Sequence, residues 1–263
     1  MIAKEIMAAI EKAAPLQLQE DYDNAGLQCG NPQREIQRVL TCLDITEAVV
    51  RQAIETGCQM IVSHHPLLFR PVKCISAEGD YISRCLYLAL THDLVLYSAH
   101  TNLDNAPEGV CRKMGERLNL SGIRPLAPLP AGRLSGLSPD FASRCGNGII
   151  GQLPTAMSGR EFVALVRRQF ESDAIRINAD APELLDREIQ TVALCGGSGS
   201  EFIADAERQG ADVYLTGEIG YHRLFGHDGI LLVEAGHYET EHHVGEWLKD
   251  LIVSQTGCET TVY

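Results

Sequence analysis

Apolar residues recur along this chain in two rhythms, a helical period near 3.6 and short unbroken runs, and together they predict alternating helices and buried strands. Ile2, Ile6, Ala9, Ile10 and Ala13 share one helical face over residues 2–14, and Pro15 closes that helix. Residues 37–44 predict a strand, and Thr46 caps a helix that reaches Gly57. Residues 58–63 and 94–99 predict further strands, separated by a loop over 69–75 and a helix over about 78–91. Asp104 is placed as an N-cap, with Pro107 in the first turn of a helix ending near Leu120. Residues 121–133 read as a connection and 148–153 as a short strand. A helix then starts at Ser158 or Gly159, with Phe162, Leu165, Val166 and Phe170 on one face. Strands at 190–195, 212–215 and 230–233 alternate with a helix ending at Gly210, and a last helix over 239–254 buries Val244, Trp247, Leu248, Leu251 and Ile252.

This order repeats. A shift of 153 positions lays Gln37, Val39, Cys42, Ala53 and Gly57 on the identical residues Gln190, Val192, Cys195, Ala206 and Gly210. A shift of 137 lays His100 on His237 and Asp104 on Glu241, with a shorter connection over 223–229 absorbing the change. The expected architecture is α/β: two similar, intertwined lobes from an internal duplication, with mixed or largely parallel sheets. The expected division is 1–125 and 126–263, with strands and terminal helices able to exchange, and a metal site between the lobes.

Composition narrows the partners. The formal net charge is −13, from 22 basic and 35 acidic residues, which argues against direct nucleic-acid binding. A nucleotide stays open, because backbone N–H groups or metal ions can meet its phosphates. Nine cysteines, an odd number with no C-x-x-C spacing, point to a reducing compartment without a disulfide framework. No uncharged run approaches the ~18 residues of a membrane span, so the expectation is a cytoplasmic protein.

Three apolar runs end in residues that ligate metals. One stops at His64-His65-Pro66, one at His100-Thr101-Asn102-Leu103-Asp104, and one at His237-Tyr238-Glu239-Thr240-Glu241. Strand ends are where α/β folds build sites. The spacing of four in the last two puts imidazole and carboxylate on one helix face. His64, His65, Asp104, His237 and Glu241 exceed the roughly three protein ligands of one catalytic zinc and suit two divalent cations about 3.5–4 Å apart. Zn, Mn and Fe all accept such ligands. Local sequence also offers plainer roles: Asp104 as a helix cap, Glu241 as a partner of a helix dipole, His64-His65 as a turn. His100 reads as a group that orients a ligand or a substrate, or that transfers a proton. Glu218 and His222, at another strand tip, read equally as acid/base groups or as a polar rim. His242 and His243 read as surface groups. The glycine run 196–200 reads as a tight turn, or more weakly as a phosphate nest.

At these residues the chain resembles the GTP cyclohydrolase I type 2 homologues, also called Nif-three-like proteins. The resemblance rests on Asp23-Asn24-Ala25-Gly26-Leu27, Ser63-His64-His65-Pro66-Leu67-Leu68-Phe69, Ala99-His100-Thr101-Asn102-Leu103-Asp104, Cys195-Gly196-Gly197-Ser198-Gly199, Thr216-Gly217-Glu218 and Ala235–Glu241. It implies a two-lobed α/β fold, a dinuclear centre held by His64, His65, Asp104, His237 and Glu241, and a toroidal homohexamer. Longer members of that family insert a domain between the lobes, and the short connection over 121–159 makes its absence the expectation here.

Three functions follow as expectations. The first is a metal-dependent hydrolase of a GTP-like or damaged nucleotide, opening the guanine imidazole ring with loss of formate, with Glu218, His100 or His222 moving protons. The alternative is a metal-binding scaffold or regulatory partner without turnover. The third is a metal-dependent phosphoesterase.

Overall fold

The computed structural model describes residues 1–178 and 180–263. The chain divides into two compact α/β units, one of Met1–Leu103 with His242–Tyr263 and one of Asp104–Glu241. Each is built on one mixed sheet.

In the first unit the strand order is Gly26–Cys29, Val95–Ser98, Met60–Ser63, Arg38–Cys42 and Glu259–Val262. The last four run parallel, and Gly26–Cys29 is antiparallel at one edge. Every residue of Met60–Ser63 and Val95–Ser98 is buried, as expected of strands covered on both faces. Helices Glu47–Glu55 and Tyr81–Thr91 pack on each other, and Leu40, Ile61, Val50, Leu86 and Leu96 fill the core beneath them. Thr46 caps the former, its hydroxyl accepting from Val49 N at 3.3 Å.

The C-terminal segment returns to this unit, so the division differs from a cut at 125/126. Helix Val244–Thr256 packs on helix Ala3–Ala13 and on strand Arg38–Cys42. After a left-handed turn at Gly257, the chain enters Glu259–Val262, which pairs in parallel with Arg38–Cys42. The exchange of terminal elements is driven by an apolar helix face, Val244, Leu248 and Ile252, that needs a partner.

The second unit has the order Ser121–Pro128, Gly146–Ser158, Glu188–Cys195, Val213–Thr216, Leu231–Glu234 and Arg176–Ile177. Ser121–Pro128 is therefore a strand and not a connection. Its prolines at 125 and 128 disguise it, and an edge position tolerates them. Its partner Gly146–Ser158 is far longer than the expected 148–153 and carries an irregularity between Gln152 and Met157. Helix Gly159–Gln169 begins with a capping box of Ser158 and Glu161.

The duplication is visible in strand register. Val39 pairs with Met60 and Cys42 with Ser63; Val192 pairs with Val213 and Cys195 with Thr216. Each residue of the second set stands 153 positions beyond its counterpart (39 to 192, 60 to 213). For the third strands the shift is 136, because Val95 faces Met60 and Leu231 faces Val213. The ligand-type residues shift by 137 (100 to 237). Gly236, with φ +96°, takes up the extra residue between strand and helix. Both third strands also carry an antiparallel edge partner, Gly26–Cys29 and Arg176–Ile177.

Two helical expectations change. Asp104 ends the short helix Thr101–Asp104, and the next helix, Val110–Arg117, starts after Gly109. Asp104 is thus no cap. The single helix over 239–254 is two, His237–Glu241 and Val244–Thr256, broken where the chain changes unit. His243, next to the break, is buried and not a surface group. Among the described residues no helix is long and apolar enough to cross a membrane.

Candidate metal centre

The first donor set is positioned by strand ends. Beyond Ser63 the chain stays pinned to the neighbouring strand: His64 N donates to Cys42 O at 3.1 Å and His65 N to Leu43 O at 3.0 Å. The Ser63 hydroxyl donates to His65 O at 2.8 Å and also lies 2.8 Å from the Ser98 hydroxyl. The two imidazoles are therefore held by backbone and not left to a loop.

Their orientation is fixed at Nδ1. His64 Nδ1 lies 2.7 Å from the carbonyl of Ala99, which only accepts, so Nδ1 carries the proton. His65 Nδ1 lies 2.8 Å from Asp44 Oδ1, and His100 Nδ1 lies 2.7 Å from Asp23 Oδ1. In each neutral ring that leaves the Nε2 lone pair for a cation or a proton. The rings cluster, with centroids 5.0 Å apart for His64 and His65, 5.2 Å for His64 and His100, and 5.5 Å for His65 and His100. One ligand nitrogen from each lies within 4.8 Å of the others, a group that can hold a metal ion. His100, read from sequence as a group that orients a ligand or moves a proton, thus lies directly beside His64 and His65.

Asp23 and Asp44 were not singled out by spacing, though Asp23 lies in a quoted motif. Burial pushes the Asp23 carboxyl up. The His100 hydrogen bond and charge, the Thr101 hydroxyl and the Asn24 N–H outweigh this and bring it down to about 2. Its Oδ2 also accepts from Thr101 N at 3.0 Å and from the Thr101 hydroxyl at 2.5 Å. A charged carboxylate is thus built in behind His100.

The second donor set lies in the other unit. His237 and Glu241 share one face of helix His237–Glu241, with Nε2 and Oε2 3.0 Å apart. Two donors about 2.0–2.2 Å from one cation are themselves about 3.0–3.4 Å apart, so this spacing fits a shared ion. His237 Nδ1 lies 2.9 Å from Glu218 Oε1, the same arrangement the first set shows. Glu218 is itself positioned by its N–H, which donates to Gly197 O at 2.9 Å. Asp104 and Glu241 both bear on Cys195, whose buried thiol is raised well above the usual range by the Cys111 hydrogen bond, then by burial and by these charges.

The glycine run serves this set by being small. A Cβ on Gly197 would fall 2.4 Å from Glu241 Oε1 and 3.0 Å from His237 Nε2. Gly197 also adopts φ +58°. Its N–H goes to Thr240 Oγ1 at 3.2 Å, and that of Gly199 to Thr216 Oγ1 at 3.1 Å. Those two donors are spent inside the protein and are not offered to a phosphate. His222 stands apart: it is exposed on the turn Tyr221–Leu224, its ring edge-on to Tyr221 at 5.2 Å. Among the described residues no hydrogen bond joins it to Glu218 or His237.

The family description Duf34/NIF3 (NGG1p interacting factor 3) matches residues 1–263, the whole chain. The chain belongs to the Duf34/NIF3 family. A relative in Streptococcus pneumoniae, named GTP cyclohydrolase 1 type 2 homolog, is 33% identical over 90% of this chain and 85% of its own length. Among neighbours of known structure, a Staphylococcus aureus hypothetical protein superposes with a TM-score of 0.88 at 26% identity, covering 100% of this chain and 96% of that one. Reduced HcgD from Methanocaldococcus jannaschii gives 0.79 at 29% identity, covering 100% and 97%.

Proposed function

We propose that this chain is a metal-dependent hydrolase of a purine nucleotide, in which His64, His65, Asp104, His237 and Glu241 hold two divalent cations. The observation that carries the reading is the treatment of the imidazoles. His64, His65 and His237 each present Nδ1 to a fixed oxygen, as metal-ligating histidines do.

The chemistry such cations supply is Lewis acidity, which acidifies water enough for hydrolysis at neutral pH. The residues divide the remaining work. Ala99 O, Asp44 and Glu218 orient the three ligand imidazoles. His100, backed by charged Asp23, accepts the proton of the attacking water at Nε2. Glu218 is bonded to His237 and acts as a positioning group. His222 takes no part. The name borne by the Streptococcus pneumoniae relative directs the substrate to GTP: one water would add at C8 and open the guanine imidazole ring to a formamide, and a second would hydrolyse that formamide to release formate. The resemblance also leads us to propose a toroidal homohexamer.

The test is formate release from GTP by Zn-, Mn- and Fe-loaded protein, beside Asp104→Ala and His100→Gln variants. The reading expects turnover with at least one metal, loss of bound metal in Asp104→Ala, and lost turnover with metal content kept in His100→Gln. No formate with any metal would remove the GTP reaction.

A further inference from the structure

Two exposed aromatic rings stand beside the imidazole cluster of the first unit. Phe69 is 46% exposed and Tyr22 63% exposed. The Phe69 ring lies edge-on to His100, centroids 6.2 Å apart at 82°, and 6.3 Å from Tyr22 at 57°. Single exposed apolar side chains need no explanation. This pair is different because the loops that carry it are fastened together. Asn24 Nδ2 donates to Leu68 O at 2.7 Å, and Leu68 N donates to Gln28 Oε1 at 3.0 Å. Gln28 Nε2 returns to Asn24 O at 2.6 Å. On the other side of Tyr22, Asp23 grips His100 and Thr101. The residue before Phe69 and the residues after Tyr22 are thus locked in register with the imidazole that the mechanism uses.

From this we propose that Tyr22 and Phe69 form an aromatic wall that binds the planar heteroaromatic ring of the substrate face-on and sets it against His100. The proposal rests on the reading of the imidazole cluster as a reaction centre. The polar bonds hold the residues adjoining the two rings, Asp23, Asn24 and Leu68, while both rings keep exposed area. A half-wetted aromatic surface suits a flat ring, since Tyr and Phe have few side-chain torsions to lose on stacking. Base–aromatic contacts tolerate the identity of the base, so the wall selects planar rings as a class and leaves discrimination among them to other groups.

The test is calorimetric titration of metal-loaded, full-length protein with guanosine, adenosine and GTP, and with inorganic triphosphate as a probe without a ring. The variants are Phe69→Ala, Tyr22→Ala and the ring-keeping Phe69→Tyr and Tyr22→Phe. The wall predicts that each alanine variant weakens nucleoside and GTP binding by between about 5- and 100-fold. Triphosphate binding and metal content should stay at wild-type values. Each ring-keeping variant should stay within about threefold of wild type. Equal losses for triphosphate and nucleoside would show loop damage and overturn the proposal. So would unchanged nucleoside affinity in both alanine variants, or a wild-type protein that binds no nucleoside. A change of oligomeric state with unchanged nucleoside affinity would make the rings a subunit contact instead. Absence of formate release with nucleoside binding intact would sink the GTP reaction and leave the wall standing.

Discussion

Asp23 holds His100 across 77 positions of sequence, with Oδ1 2.7 Å from Nδ1. The same carboxylate takes the backbone N–H and the hydroxyl of Thr101. One side chain from an irregular segment therefore fixes the imidazole and the start of the helix that ends in Asp104.

Asp23 titrates at about 2 in the folded chain against an ordinary 3.8. A depressed carboxyl stabilises the fold above its unfolded value and loses that contribution as pH falls through the folded one. The effect is thus full above about pH 4 and gone near pH 2, and is worth about 2 kcal/mol. Asp23→Asn should lower unfolding free energy at pH 7 by about 1–3 kcal/mol and flatten the acid limb between pH 4 and 2. Urea denaturation across that range checks both.

Gly197 should tolerate no side chain. Alanine there meets Glu241 Oε1 at 2.4 Å and a backbone φ of +58°. Gly122→Ala is the control, since Gly122 has φ +60° and nothing within 4 Å of the added carbon. Gly122→Ala should cost only the conformational strain, about 1 kcal/mol, and leave metal affinity alone. Gly197→Ala should cost more stability and weaken metal binding at least tenfold, measured by equilibrium dialysis.

Much of this arrangement was legible in the chain alone. The apolar runs that stop at His64, His100 and His237 drew attention to imidazoles that the structure sets at strand ends, and the shift of 153 is reproduced residue for residue in strand register. What was hidden has physical causes. Asp23 and Asp44 gain their partners only through tertiary contact. Ser121–Pro128 carries two prolines that only an edge strand accommodates. The C-terminal helix joins the first unit because its apolar face fits helix Ala3–Ala13, a match that no local periodicity encodes. Gly236 is the one-residue difference between the repeats, which only the strand pairing reveals.

Glu218 should matter through His237 alone. Glu218→Ala removes the acceptor at Nδ1 and should weaken metal binding by about 10- to 100-fold, whereas Glu218→Gln keeps an oxygen acceptor and should lose less. His222→Ala should leave metal affinity within about twofold of wild type. Competition with a chromophoric chelator distinguishes the three.

Chelation should soften the fold. A ligand that binds only the folded chain stabilises it by about 2.7 kcal/mol at a hundredfold excess over its dissociation constant. Exhaustive EDTA treatment should therefore lower Tm by several degrees, and restoring Zn or Mn should return it. His64→Ala and Glu241→Gln should each show a smaller metal-dependent shift than wild type.

The central claim is that these strand-end imidazoles and carboxylates bind divalent cations. Anomalous diffraction from crystals soaked in manganese addresses it directly. The account predicts manganese peaks within bonding distance of His64 and His65 and of His237 and Glu241. No peak beside any of these imidazoles would contradict it.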